Sequence, residues 1–321
     1  MTLEPTGSGV SLELVNTVLA ARRFYLDGAS KSDIAEELGL SRFKVTRLLD
    51  AARRDGIVRI TIDVPAEVNL DLSASLAAAY GIKQALVIKV LDPAEDFIRL
   101  QLGRAGAALL ANALEADDVL GVSWGRTLQA MVGAIDALPA CTVVQIVGGN
   151  PVDLNINSME LVRQLAEHAG GAVYPLHVPM LFDSPAAAAT LREEFHVRRT
   201  FEMFGRLTKA VVGIGAWEPD GFALQPALPE NLAEHVREAG AVADVCMTPL
   251  DDEGRPVELD ELSSRLITIG FDQLSRVPEV IGIAGGVAKA HAIAATLRSG
   301  VLHRLVTDEN CAQELMRIVK A

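Results

Sequence analysis

Between residues 85 and 307, seven short apolar runs are separated by stretches that include clear helical periodicity, and few folds accommodate that alternation. The runs are 85–90, 119–123, 142–147, 172–176, 210–214, 280–284 and 304–307. Helical patterns stand between or after them at 97–113, 127–138, 158–168, 289–299 and 309–319. Each run is apolar at nearly every position, so a strand made from it needs cover on both faces. A mostly parallel sheet with helices on both sides meets that need. Aromatic residues make up only 4% of the chain, and a core of Ala, Val, Leu and Ile suits helices packed on such a sheet. The expected fold is therefore a large Rossmann-like α/β domain. At 321 residues there is room for a second, smaller domain, and the pattern places it at 1–64 with the α/β domain at 65–321.

The first 64 residues read differently. Leu12, Val15, Val18, Leu19 and Leu26 recur at helical spacing, which predicts a helix over 12–26 with those residues on its apolar face. The stretch KSDIAEELGLSRFKVTRLLDAARRDG follows. Ile34, Ala35 and Leu38 form the apolar face of a short helix. Gly39 can take the left-handed conformation that ends it, and Ser41 can cap a second helix that buries Val45, Leu48, Leu49 and Ala52. Small residue, turn glycine and returning apolar pair make a helix-turn-helix. Arg42, Phe43, Lys44, Thr46, Arg47 and Arg53, with Ser41 at the cap, are then the candidates to meet DNA. Apolar and polar residues alternate over 57–64, predicting a strand and hence a wing.

The charge distribution supports this division. The net charge is −13, yet residues 1–64 carry nine Lys/Arg and nine Asp/Glu. The acidic excess lies wholly in 65–321. Residues 41–59 hold six basic and two acidic side chains, so this short segment is the plausible phosphate contact.

In the large domain, ligands are expected at the carboxyl ends of strands. Ser123-Trp124-Gly125-Arg126-Thr127 leaves one strand and enters a helix, offering amides, two hydroxyls and a guanidinium to an anion. Gly148-Gly149-Asn150 ends the next strand. Gly285-Gly286 ends a late one, with Lys289 just beyond. Asp244 could accept from sugar hydroxyls or simply cap a turn, and Asp251-Asp252-Glu253-Gly254 reads as a solvated hairpin turn.

Other classes find little support. No apolar run reaches the roughly 18–20 residues needed to span a bilayer. The N-terminus lacks the basic-then-apolar order of a signal peptide, so a cytoplasmic protein with no membrane partner is expected. Cys141, Cys246 and Cys311 lie far apart and read as three buried thiols, with no disulfide or metal site. The six histidines show no ligand spacing. With no GxGxxG opening the sheet and no GxxxxGK[ST], no nucleotide or other cofactor is expected. Without a GxSxG elbow or a recognisable acid–base set, the chain does not read as an enzyme.

Taken with LGVSWGRTL, VVQIVGG, VVGIGAW, GAVADV and VIGIAGGVAKAHAIAATLRSGVLHRLVTDENCAQELM, the N-terminal stretch resembles the SorC/DeoR-type sugar-binding transcriptional regulators over nearly the whole chain. The resemblance implies a winged helix-turn-helix and an effector domain related to phosphosugar isomerases but without catalysis. It implies a homotetramer or dimer of dimers on double-stranded operator DNA, governing a sugar, polyol or nucleoside catabolic operon as repressor or activator. A phosphorylated sugar or polyol would control DNA affinity. By motif position Ser123, Gly125, Arg126 and Thr127 would hold its phosphate, Lys289 would pair with it, Gly149 would line the pocket and Asp244 would take a hydroxyl. Trp124 and Arg126 are bulkier than the Gly/Thr-rich version of this turn. Val245-Cys246-Met247-Thr248-Pro249 stands where a glycine-and-aromatic run is commoner. An unphosphorylated sugar or polyol as effector, or a sugar-phosphate isomerase-like activity, are the alternatives.

Overall fold

The computed structural model describes residues 11–59, 68–150, 158–217 and 228–320. The chain divides into two compact units, Met1–Pro65 and Ala66–Ala321.

Three helices are described in the first unit: α1 (Leu12–Tyr25), α2 (Lys31–Glu37) and α3 (Arg42–Arg54). Ser30 and Asp33 close a reciprocal cap on α2, each side chain accepting from the other's backbone N–H at 3.2 Å. Gly39 ends the turn at φ +64°, where a side chain would be strained. Ser41 Oγ accepts from Lys44 N at 3.2 Å and starts α3. Ile34, Ala35, Val45, Leu48, Leu49 and Ala52 pack into a small core with Ala20 and Ala21 of α1. The expected apolar face of α1 is corrected by this packing. Leu12, Val15, Val18, Leu19 and Leu26 are exposed, and Thr17, Ala20 and Ala21 face inward. Alanines let α3 approach closely, whereas a leucine stripe would hold it off. Of the expected wing, residues 60–64 lie outside the described residues, and of residues 57–59 the first two form a bend and none lies in a strand.

The second unit opens with α4 (Leu70–Tyr80), ended by Gly81 in the left-handed conformation, and β1 (Gln84–Ile88). α5 (Glu95–Ala113), β2 (Val119–Val122), α6 (Arg126–Val132), β3 (Cys141–Gln145), α7 (Ser158–Ala169) and β4 (Gly170–Tyr174) follow. Next come α8 (Pro185–Arg192), α9 (Phe195–Phe204), β5 (Lys209–Val212), β6 (Gly215–Ala216), α10 (Glu230–Glu238), β7 (Ala243–Val245) and β8 (Thr248–Leu250). The unit closes with α11 (Asp260–Ser263), α12 (Phe271–Leu274), β9 (Glu279–Ile283), α13 (Ala290–Arg298), β10 (Arg304–Asp308) and α14 (Glu309–Lys320).

Among the described residues, seven strands form one sheet in the order β1-β10-β9-β5-β2-β3-β4, every pairing parallel. All seven arise from the apolar runs. Successive residues serve opposite layers. Val143, Val211 and Ile281 join a core with α5, α6 and α7, and Val144, Val212 and Val280 join one with α9, α13 and α14. That two-sided burial is why the runs show no polar alternation. β6, β7 and β8 form a small antiparallel sheet whose strands are too short to announce themselves in the sequence. α6 stops at Gly133, short of the expected 138. The 251–254 turn is only partly solvated, because Gly254 is buried with no room for a Cβ beside the Ala295 carbonyl. No described helix is long and apolar enough to cross a membrane.

Candidate functional site

On the first unit, α3 presents Arg42, Phe43 and Arg47 outward, Phe43 being 86% exposed. The other candidates on this helix already have partners. Ser41 caps it, and the Thr46 hydroxyl donates to the Arg42 carbonyl at 3.2 Å. Lys44 pairs with Glu13 at 3.1 Å and Arg53 with Asp50 at 2.8 Å. Exposed pairs of this kind contribute at most about 1 kcal/mol, so a phosphate can draw either cation away. Thirteen residues of helix extend about 20 Å, enough to lie along a major groove roughly 12 Å wide.

In the second unit a cavity of about 520 Å³ opens at the carboxyl ends of β2, β5, β9 and β10, within the usual range for small-molecule sites. Chain order reverses here, since β3 and β4 extend the sheet on one side of β2 and β5 returns on the other. Such switch points are where parallel sheets leave a crevice. The walls come from 93–99 after β1, 123–127 after β2, 213–216 after β5, 285–289 after β9, the start of α14 after β10, and the 244–247 turn between β7 and β8.

The chemistry in the cavity is divided. Arg126 and Lys289 bring positive charge to it. Lys289 sits in a 3-10 turn (Val287–Lys289) just before α13, and its ammonium donates to the Ile214 carbonyl at 3.2 Å. Burial lowers its pKa, the Arg126 guanidinium lowers it further, and Glu95 partly offsets both. Charge of this kind, held away from water, favours an anionic guest. Asp244 of β7 also lines the cavity, and it is buried with 5% exposure. Its carboxyl accepts from the Met247 N–H, while Oδ1 has no hydrogen-bond partner. Burial raises its pKa well above the usual carboxylate range, and the unpartnered Oδ1 can accept from a hydroxyl.

The turn after Asp244 is unusual. Cys246 and Met247 both take positive φ, 49° and 65°, a conformation that disfavours residues with side chains. Held this way, both line the cavity beside Asp244. Burial pushes the Cys246 thiol up, and the Asp244 charge adds to the effect. Asp308 has a supporting part. Its Oδ2 accepts from Gly286 N at 2.5 Å and Oδ1 from Cys311 N at 3.0 Å, tying the 285–289 turn to α14. Gly285 packs against that carboxylate with no space for a Cβ.

The structure thus brings Ser123, Trp124, Gly125, Arg126, Thr127, Asp244 and Lys289 to one cavity. Two of these also have structural work: the Trp124 indole donates to the Gly148 carbonyl at 2.8 Å, and Ser123 Oγ accepts from Gly213 N at 3.3 Å. Gly148, Gly149 and Asn150 are a correction, because they do not line the cavity. Gly148 N donates to Ile267 O and Gly149 N to Val178 O, both at 2.9 Å. A Cβ on Gly148 would stand 2.8 Å from the Pro179 carbonyl. At Gly148 glycine is needed for close packing of the chain. The sequence reading missed Glu95 and Arg99, which enter from the first two turns of α5. The turn from β1 into α5 is another strand-to-helix junction, and treating it like the one after β2 would have found them.

The family model described as "Putative sugar-binding domain" matches residues 64–317. The chain is 31% identical over 302 residues to "Transcriptional regulator LsrR" of Klebsiella pneumoniae, covering 92% of this chain and 90% of that one. It is 30% identical over 303 residues to "Erythritol catabolism regulatory protein EryD" of Brucella abortus, covering 92% and 95%. The crystal structure of the full-length sorbitol operon regulator SorC from Klebsiella pneumoniae superposes with a TM-score of 0.68 at 25% identity, covering 95% of this chain and all of that one.

Proposed function

This chain belongs to the SorC/DeoR-type sugar-binding transcriptional regulators, and we propose that it controls a sugar or polyol catabolic operon through a phosphorylated effector. Residues 1–64 would be the DNA-binding domain, and residues 65–321 would bind effector and hold the homo-oligomer, a tetramer or dimer of dimers. One observation carries the effector assignment: a single cavity holds the cations of Arg126 and Lys289 together with a buried carboxyl whose Oδ1 is unpartnered. A sugar phosphate offers the complement of both, an anion and a hydroxyl.

The DNA side follows from α3, whose exposed Arg42, Phe43 and Arg47 stand beside the displaceable Lys44 and Arg53. Guanidinium groups reach guanine edges and phosphates, and an exposed ring can meet a thymine methyl. Effector binding would act by changing how paired readers are spaced, since half-sites are read in register with the DNA pitch.

A thermal-shift series with sugar phosphates and their free sugars tests the effector class. A ligand that binds the folded state raises Tm by mass action. A rise with a phosphosugar but not its parent sugar is expected. A rise with free sugars or polyols alone would remove the phosphate from this reading and leave the DNA-binding part standing.

A further inference from the structure

The anion-facing side of the cavity already contains an anion. Glu95, the first residue of α5, places Oε2 2.6 Å from a guanidinium nitrogen of Arg99 and Oε1 4.0 Å from one of Arg126. Lys289 is close enough to act on its charge as well. An i,i+4 Glu–Arg pair on an open helix face is common and weak, but this one differs in two respects. The Arg99 side chain is only 15% exposed and lines the cavity, and the second guanidinium comes from α6, a separate element. The Glu95 side chain is 62% exposed, so it can swing outward without being buried elsewhere. Arg99 would keep Asp96, its other partner one turn away.

We propose that the Glu95 carboxylate is an internal stand-in for the effector's anion, holding Arg99 and Arg126 until an incoming phosphate displaces it and takes both guanidinium groups. This rests on the phosphate reading of the cavity and adds Arg99 as a third cation of the anion subsite. The exchange swaps one carboxylate for a group of higher charge and more acceptor oxygens, which favours phosphate over a simple carboxylate ligand. It also reaches beyond the cavity. Gly103 of α5 would place a Cβ 2.6 Å from the α6 backbone at Ala130, so the two helices interlock and shift together.

The test is a calorimetric titration of the full-length protein with inorganic phosphate, comparing the unmodified chain with Glu95→Gln, Arg99→Gln and Arg126→Ala. Glu167→Gln, which removes a comparable exposed partner from Arg163 on α7, is the control. Glu95→Gln is expected to tighten phosphate binding by about two- to fivefold, Arg99→Gln to weaken it by about tenfold, and Glu167→Gln to leave it unchanged. Equal or weaker binding by Glu95→Gln, or equal gains in Glu95→Gln and Glu167→Gln, would overturn the stand-in. If Arg126→Ala then still loses phosphate, the anion cavity survives without it. Failure of the unmodified protein to bind phosphate would overturn both.

Discussion

The two units carry charge in opposite ways. On α3 the basic side chains are exposed or half-buried and either without a partner among the described residues, as at Arg42 and Arg47, or held in weak surface pairs, as at Lys44 and Arg53. In the α/β unit, Lys289, Arg99 and Asp244 are drawn out of water by the ends of strands and helices that lie far apart in sequence. A surface built from one helix suits a long polyanion, where many modest contacts add and salt screens them. A cavity built from several connections suits a small ligand, where few contacts act at low dielectric and each counts for more. The difference teaches where sensitivity should lie: single changes should be graded on α3 and severe in the cavity.

Four experiments would break or sharpen that contrast. The largest effect is expected for Arg126→Ala combined with Lys289→Ala. Losing two charge-assisted partners should weaken a phosphosugar effector by about a hundredfold or more, read by calorimetry. A loss below tenfold would place the anion elsewhere. Gly148→Ala comes next, on stability rather than binding. A Cβ 2.8 Å from the Pro179 carbonyl should cost about 1–3 kcal/mol in chemical denaturation. Unchanged stability with lost effector binding would return Gly148 to a ligand role.

Arg47→Ala should lower DNA affinity by about tenfold and reduce the slope of log affinity against log salt by about one. Fluorescence anisotropy at several salt concentrations measures both. A far larger loss would mean that α3 is not graded after all. The smallest effect concerns Asp244→Asn and pH. Burial raises the folded pKa of Asp244, so the folded state binds the extra proton between the unfolded value of about 3.9 and the raised folded value. Stability therefore falls as pH rises through that window. Asp244→Asn should remove this component, giving a flatter stability–pH profile. An unaltered profile would mean that the carboxyl finds a charged partner instead.

Legibility followed the same division. Six strands of the large sheet could be read because burial leaves nearly uninterrupted apolar runs, while β4, largely exposed among the described residues, is apolar without being covered. α3 could be read because Val45, Leu48, Leu49 and Ala52 repeat at helical spacing and Ser41 marks its start. On α1, periodicity showed that a stripe exists but not which side the core would cover, and the alanine face won because α3 packs closest there. Residues 243–250 form strands of three residues each, too short for a period to show. Arg126 and Lys289 were recognised from the glycine turns beside them. Glu95 and Arg99 stand at a strand-to-helix junction without glycine, so only the general rule that ligands sit at strand ends points to them. Asp244 was visible as a candidate, but only the fold shows its Oδ1 buried without a partner. Gly148 shows the opposite error: a glycine at a strand end looked like room for a ligand, yet the chain at 179–180 fills it.

The most direct measurement is fluorescence anisotropy of the full-length protein on a labelled duplex from its own promoter, titrated with the phosphosugar that raises its Tm. We expect saturating phosphosugar to shift DNA affinity by about tenfold or more, within the usual span of allosteric coupling, with the matching free sugar inert. DNA affinity that stays constant while the cavity fills would contradict an effector-controlled regulator, whatever the cavity binds.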